Sequence, residues 1–326
     1  MRRLGLGILA IVAAAAAAAP ILAPNDPSTP FSNRTYAPPT RIHLRDADGW
    51  HAPFIYRQVL ADRVLRQYVD DTSTRVPLEW WRDGRLFGVG PDAAPMLVLG
   101  ADPLGRDIFS RLIYGARLSL GVTGLGAAGA LAIGAAVGAL AGVAGGWLEA
   151  MLMGIADFML VLPAVYLLLV LRAVMPLSLE WTTVFVLMAV LFAAAGWPLV
   201  ARGVRGIVAT ERTRDYAQAA RAIGAGPFRL AGHLLPAASG FLVVELVLLV
   251  PAMLVAEATL SYLGLGFPAE RPSWGTMLQD AANVQLLRDT PWLIAPAALL
   301  FVVVLGLQLV LGVRRERTML TAASRS

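Results

Sequence analysis

Six apolar runs, each close to the length a helix needs to cross a bilayer, constrain this chain more than any other feature. In the hydrocarbon core every backbone polar group must be bonded within its own segment, and a helix needs about 20 apolar residues to cross. The runs are Leu4–Ala23, Leu118–Ala144, Ala150–Leu171, Thr183–Ala201, Phe241–Leu260 and Trp292–Val313. Ordinary polar stretches separate them, so the low charge content of 15% is a local property of the runs. Soluble domains carry about a quarter charged residues. The expected fold is an all-α membrane protein with six transmembrane helices.

Arginine placement orients the spans. Cytoplasmic loops collect positive charge. Arg2 and Arg3 precede the first run, and Arg314, Arg315 and Arg317 follow the last. The connection between runs four and five holds Arg202, Arg205, Arg212, Arg214, Arg221 and Arg229 against Glu211 and Asp215. Residues 24–111 balance eleven arginines against eleven acids, and Ser261–Pro291 is slightly acidic. Both termini and the arginine-rich loop are therefore expected on the cytoplasmic side of the membrane. The first run has a rival reading, because a basic start and an alanine-rich core also suit a secretory signal peptide. Its length, and Pro20 beside the alanines, favour a retained anchor.

Several chemistries are excluded. The chain has no cysteine, so disulfides and thiolates are absent. His43, His51 and His233 are too scattered for a metal site. All 27 basic residues are arginine, which removes any Walker A phosphate loop, since that loop needs lysine. ATP dependence must then come from a partner. The basic excess sits beside apolar runs, so membrane orientation explains it better than nucleic acid does.

Inside the runs, Gly134, Gly138, Gly142 and Gly146 recur every four residues, a stripe that lets another helix approach closely. Asp157, Glu245 and Glu257 are costly at these depths. Interhelical bonding is the simpler role for Asp157 and Glu245. For Glu257 a polar pathway or gate stands level with it. Pro163 and Pro251 are expected to kink their helices, and Pro198 lies toward the inner end of run four.

The most informative stretch runs from Asp215 to Pro236. Residues 211–223 read as a short alanine-rich helix, ended by Gly224 and Gly226, with Pro227 opening the next turn. Such a helix can sit in a cleft on a partner, or can simply connect two spans. Gln218-Ala219-Ala220, Gly224 and Leu235-Pro236 resemble the EAA loop of binding-protein-dependent ABC importer permeases. Gln218 stands where that pattern has glutamate, and the interval from Gly224 to Pro236 is one residue short. Loss of one residue within a helix rotates the downstream side chains by about 100°, so the deletion is placed in the turn after Gly224.

Leu99–Leu120, with its Ala101-Asp-Pro-Leu-Gly-Arg-Asp107 core, resembles the entry to the core domain of the C-type permease in dipeptide, oligopeptide and nickel importers. Glu257–Gly266 and Pro272–Leu278 resemble that family's outer loop before its last span. The resemblance implies a type I ABC importer fold with these domains: an anchor (1–23), an external segment with a small insertion (24–112), a core (113–313, coupling loop 202–237) and a cytoplasmic tail (314–326). It implies ATPase coupling through Asp215, Tyr216, Gln218, Ala219, Ala220, Gly224 and Pro236, and a gate or pathway at Glu257, Ser261 and Tyr262. Implied partners are a second homologous permease subunit, two cytoplasmic ATPase subunits that carry ATP and magnesium, and an external solute-binding protein. No cofactor, metal or catalytic residue is expected on this chain itself. Within residues 24–98 an amphipathic helix is expected near Tyr56–Asp70, followed by Trp80-Trp81 and a glycine-containing turn. The insertion contacts the binding protein, caps the vestibule or only braces the surface. A secondary transporter and a non-transporting scaffold are the rival classes. The first would need broken helices and internal repeats, and no convincing repeat is present. Cargo identity is not readable from the spans.

Overall fold

A computed structural model describes residues 1–46, 48–62, 66–90, 94–161, 170 and 179–323. Among these, four helical stretches are long and apolar enough to cross a membrane: Ile108–Ala144, Trp181–Glu211, Pro227–Tyr262 and Pro291–Val310. A shorter apolar helix, α1 (Arg2–Ala17), leads into α2 (Ala19–Leu22). The expected third span is represented by α4 (Gly146–Val161). The remainder of that run up to Leu171, Val170 apart, lies outside the described residues, Pro163 included. Helices overrun the apolar windows. The second run is α3 (Ile108–Ala144), which starts ten residues early, and the fourth is α5 (Trp181–Glu211).

The chain divides into two compact units, one holding residues 1–2, 120–260 and 307–326, the other 3–119 and 261–306. In the first unit the glycine face of α3 is pressed against α5. A Cβ at Gly134 would lie 2.5 Å from the Val200 Cβ, and one at Gly138 would lie 2.4 Å from the Ala201 carbonyl. At Gly142 it would meet Val208 at 2.9 Å, and at Gly126 it would meet Phe192 at 2.6 Å. Contacts advance in the same direction on both helices, in matching steps of four, so α3 and α5 run parallel. Close backbone approach of this kind replaces the hydrophobic drive that lipid does not supply. Gly146 is not part of the stripe. The helix has ended at Ala144, and Gly145 and Gly146 turn the chain with φ of +69° and +60°. A four-residue spacing continues through a turn without notice, but a helix face does not. On another side of α5, facing α4, Asp157 pairs with Arg202 at 3.0 Å and Glu149 pairs with Arg205. This accords with the interhelical role for Asp157.

In the second unit residues 42–88 overturn the all-α expectation. Strands β1 (Ile42–Asp46), β2 (Gly49–Asp62) and β3 (Gln67–Pro77) form an antiparallel sheet in that order, and β4 (Glu79–Arg82) pairs with β5 (Arg85–Gly88) as a hairpin. The expected helix near Tyr56–Asp70 is instead the end of β2 and the start of β3. Burial along much of β2 alternates with a period of two, and β3 is rich in Val, Thr and Tyr, which favour strands. The pairing partners were invisible to a window that read only local spacing. Among the described residues the protein is mostly helical, with a β segment at 42–88.

The two motifs flanking the core meet in space. Trp274, fully buried at the start of α9 (Trp274–Asp280), donates from its indole nitrogen to the Leu112 carbonyl at 3.1 Å. Its backbone N–H donates to the Ser119 hydroxyl at 3.2 Å. Gly115 lies against this contact, and a Cβ there would touch the Trp274 ring at an ordinary 3.4 Å. Asp107 caps α3, accepting from the backbone N–H groups of Phe109 and Ser110, both at 3.2 Å. Asn25 adds a side-chain bond to it at 3.1 Å. Asp102 folds the preceding turn, accepting from the Leu104 and Arg106 backbone and from the Arg106 guanidinium at 2.6 Å. Gly105 is required there. Its φ is +76°, and a Cβ would fall 2.2 Å from the Phe31 carbonyl.

Asp280 completes this cluster of charges. Burial first, and the nearby Asp102 charge second, push its carboxyl up to about 6, against the pull of Arg111 and Arg106. The folded unit therefore holds that proton more tightly than the unfolded chain does. Its stabilising contribution is complete below the unfolded value of 3.8 and is lost as pH rises through about 6. Asp280→Asn should raise the melting temperature of the detergent-purified chain at pH 8 and change it little at pH 4. Thermal melts at the two pH values check this.

Candidate functional site

The arginine-rich loop builds a small helical platform at the end of α5. Asp215–Ala222 form α6, Pro227–Leu234 form α7 and Leu235–Ala238 make a 3₁₀ turn leading into α8 (Ser239–Tyr262). Alanine carries the highest helix propensity, and Asp215 in the first turn suits the positive helix end. The start is Asp215 rather than residue 211, because Glu211 still belongs to α5. Gly224 ends α6 in the left-handed region, with φ +87°. The Ala225 N–H then reaches back to the Ala220 carbonyl at 3.0 Å, the six-to-one bond of a Schellman turn. Nothing lies within 4 Å of a Cβ built on Gly224, so backbone conformation alone demands glycine there. Pro227 opens α7, where its missing N–H costs nothing.

The predicted residues divide by exposure. Tyr216 is 52% exposed, and its hydroxyl donates to the Glu211 carboxylate at 2.8 Å. Gln218 turns back, donating to the Thr213 carbonyl at 3.1 Å, so it braces the turn between α5 and α6. Ala219 is exposed, Ala220 is half-buried, and Ala217 between them and the fold is fully buried. Asp215 and Pro236 are exposed. Around them Ile223 and Phe228 stand out at 89% and 76% exposure. The loop thus presents Tyr216, Ala219, Ile223 and Phe228 as an apolar surface beside the exposed Arg221 and Arg229.

Two further residues were missed by sequence reasoning. Arg212 and Arg221 both donate to the Val143 carbonyl, at 3.1 and 3.2 Å. That carbonyl belongs to the last turn of α3, where helix carbonyls lack partners and the dipole favours cations. Arg221 therefore ties α6 directly to the end of α3. The bonds span 69 and 78 residues, so no local pattern could have revealed them.

The three gate candidates lie on the last turns of α8. Glu257 and Ser261, four residues apart, are fully buried, and each has a partner within the fold. Tyr262 is about half exposed, and its carbonyl accepts from the Gln279 amide at 2.6 Å. No group of three or more potential metal ligands occurs among the described residues.

Comparison with known proteins bears on this arrangement. The family described as binding-protein-dependent transport system inner membrane component matches residues 134–315, which include the whole platform. The oligopeptide transport system permease protein OppC of Bacillus subtilis is 37% identical over 213 residues, 65% of this chain and 67% of that protein. The dipeptide transport system permease protein DppC of Alkalihalophilus pseudofirmus is 34% identical over the same share of each chain. DppC of Bacillus subtilis is 39% identical over 56% of this chain and 55% of its own length. The chain spans about two thirds or less of the relatives it matches.

Proposed function

This chain belongs to the binding-protein-dependent transport system inner membrane components, and on that premise we propose that it forms half of the membrane path of an ATP-driven importer. Peptides or related small solutes are the proposed cargo, a class that rests on the names of the OppC and DppC relatives. The observation that carries the reading is the exposed apolar surface of α6 and α7, flanked by arginines. Large apolar groups standing out on a polar loop mark a surface that a partner covers. Here the partner is a cytoplasmic ATPase subunit, and α6 is the element whose position ATP closure changes. The bond from Arg221 to the end of α3 carries that displacement into the membrane. Coupling of this kind needs one element that both ATP and solute bias.

The parallel packing of α3 and α5 supports six crossings. Two neighbouring helices that run the same way require the chain between them to return to its starting side. α4 begins that return, and with the first run and the last two spans the termini fall together on the inner face. A second, homologous permease subunit completes the path, two ATPase subunits supply the hydrolysis and an external binding protein delivers solute. Tyr262, with the buried Glu257 and Ser261, remains the proposed gate.

Replacing Ile223 and Phe228 together by glutamate should cut co-purification with the ATPase subunit about 100-fold, since buried apolar anchors dominate such interfaces. The variant should still reach the membrane, because neither side chain is packed within the chain. Undiminished co-purification would assign the docking elsewhere.

A further inference from the structure

The β4–β5 hairpin carries a feature that transport does not use. Asp83 and Gly84, with φ of +50° and +76°, form its two-residue turn, the conformation that strand twist favours. Trp81 beside it also has a positive φ, +57°. Left-handed backbone is rare for a bulky residue and persists only where the surroundings impose it. Neighbouring strand residues normally point to opposite faces. At Trp81 that alternation is broken, and Trp80 and Trp81 are both displayed, 60% and 70% exposed.

The hairpin is not free to wander. Strand β5 packs against α2, and the Arg85 guanidinium donates to the Pro24 carbonyl at 2.6 Å. Helix α2 is itself held through Ala19 and its cap Ala23, which are buried with Ile113, and Phe109 and Tyr114 pack against this cluster. It closes the apolar run 4–23, in which α1 and α2 follow one another across Ala18, and about 20 helical residues span about 30 Å, one hydrocarbon thickness. On that run Leu6, Ile11 and Ile21 are exposed, as lipid-facing side chains are. A group fastened at Pro24 therefore lies at the level where hydrocarbon gives way to headgroups. Tryptophan, with an apolar ring and one N–H, is the side chain that favours that zone. Arg82 and Arg85 follow the two tryptophans closely in the sequence.

We propose that Trp80 and Trp81 anchor the β insertion in the headgroup layer of the membrane, fixing its height above the bilayer. The proposal rests on the reading that run 4–23 crosses the membrane. A binding-protein contact is the competing use of the same rings.

The natural absence of cysteine makes the test direct. Trp80→Cys, Trp81→Cys, Ser73→Cys and Ile11→Cys variants of the full chain would each carry a single nitroxide. They would be reconstituted in phosphatidylethanolamine/phosphatidylglycerol nanodiscs. Collision with a water-soluble nickel chelate should be about threefold weaker at 80 and 81 than at Ser73, on the exposed part of β3. Collision with oxygen should be stronger at those two positions, and strongest at Ile11. Labels at 80 and 81 as open to nickel as Ser73, with Ile11 shielded, would overturn the anchor alone. Shielding that arises only on adding the binding protein would overturn it in favour of docking. An Ile11 label open to nickel would show that the first run does not cross, and both readings would fall.

Discussion

Gly224→Pro is expected to abolish solute uptake while leaving the chain at its normal level in the membrane. Proline holds φ near −65°, far from the +87° found here, and it removes the N–H that donates to the Arg221 carbonyl at 2.9 Å. Its ring also pushes Ile223 toward extended backbone, away from the φ −86°, ψ 11° with which that residue closes α6. Together these cost about 3 kcal/mol or more, which is a shift of about 100-fold in the population of the native turn. The damage is confined to an exposed loop, so insertion and packing of the spans should survive. Gly224→Ala is the graded control. Space is open around the site, so it carries only the left-handed penalty of about 1–2 kcal/mol. Uptake of a labelled peptide should fall in the order wild type, alanine, proline, with ATP hydrolysis by the reconstituted complex no longer tied to cargo in the last. Wild-type uptake by the proline variant at equal membrane abundance would refute the coupling role of α6.

Gly138→Leu should have the second large effect, and of the opposite kind: loss of the folded chain rather than loss of coupling. Any Cβ there would lie 2.4 Å from the Ala201 carbonyl oxygen and 2.9 Å from the Val204 Cβ. The obstacle is backbone on one side and a β-branched residue on the other, so no flexible side chain can swing away. Overpacking of a tight core costs about 1–3 kcal/mol, and the upper end applies where backbone must move. Separating α3 from α5 would also strain the ion pairs of Arg202 and Arg205 with α4. Thermal melts in detergent, with membrane abundance by immunoblot, should show a marked loss. Gly124→Ala on the same helix is the contrast. A Cβ there meets nothing within 4 Å, and alanine is the better helix former, so stability should hold or rise slightly.

Four of the spans and the helix–turn–helix build of the loop were legible from residue order because their signals are local. An apolar run of about 20 residues is sufficient reason for a crossing helix. The Gly224 stop followed by the Pro227 start is likewise a statement about adjacent backbone. Where chain order misled, distant partners decided. The segment around Tyr56–Asp70 became strands because β2 found β1 and β3, and pairing between strands is not written in a helical window. Gly146 left the glycine stripe because α3 ends at Ala144 and Gly146 belongs to the turn that follows. Arg221 and Arg212 found the Val143 carbonyl, and Asp280 found Asp102 and the two arginines, because an unpaired helix end and a buried charge each take whatever partner the fold brings near. The apolar runs by themselves determined that this is a multi-pass membrane protein. Only tertiary packing decided which faces of its helices are buried against each other and which, at Ile223 and Phe228, are left for something else to cover.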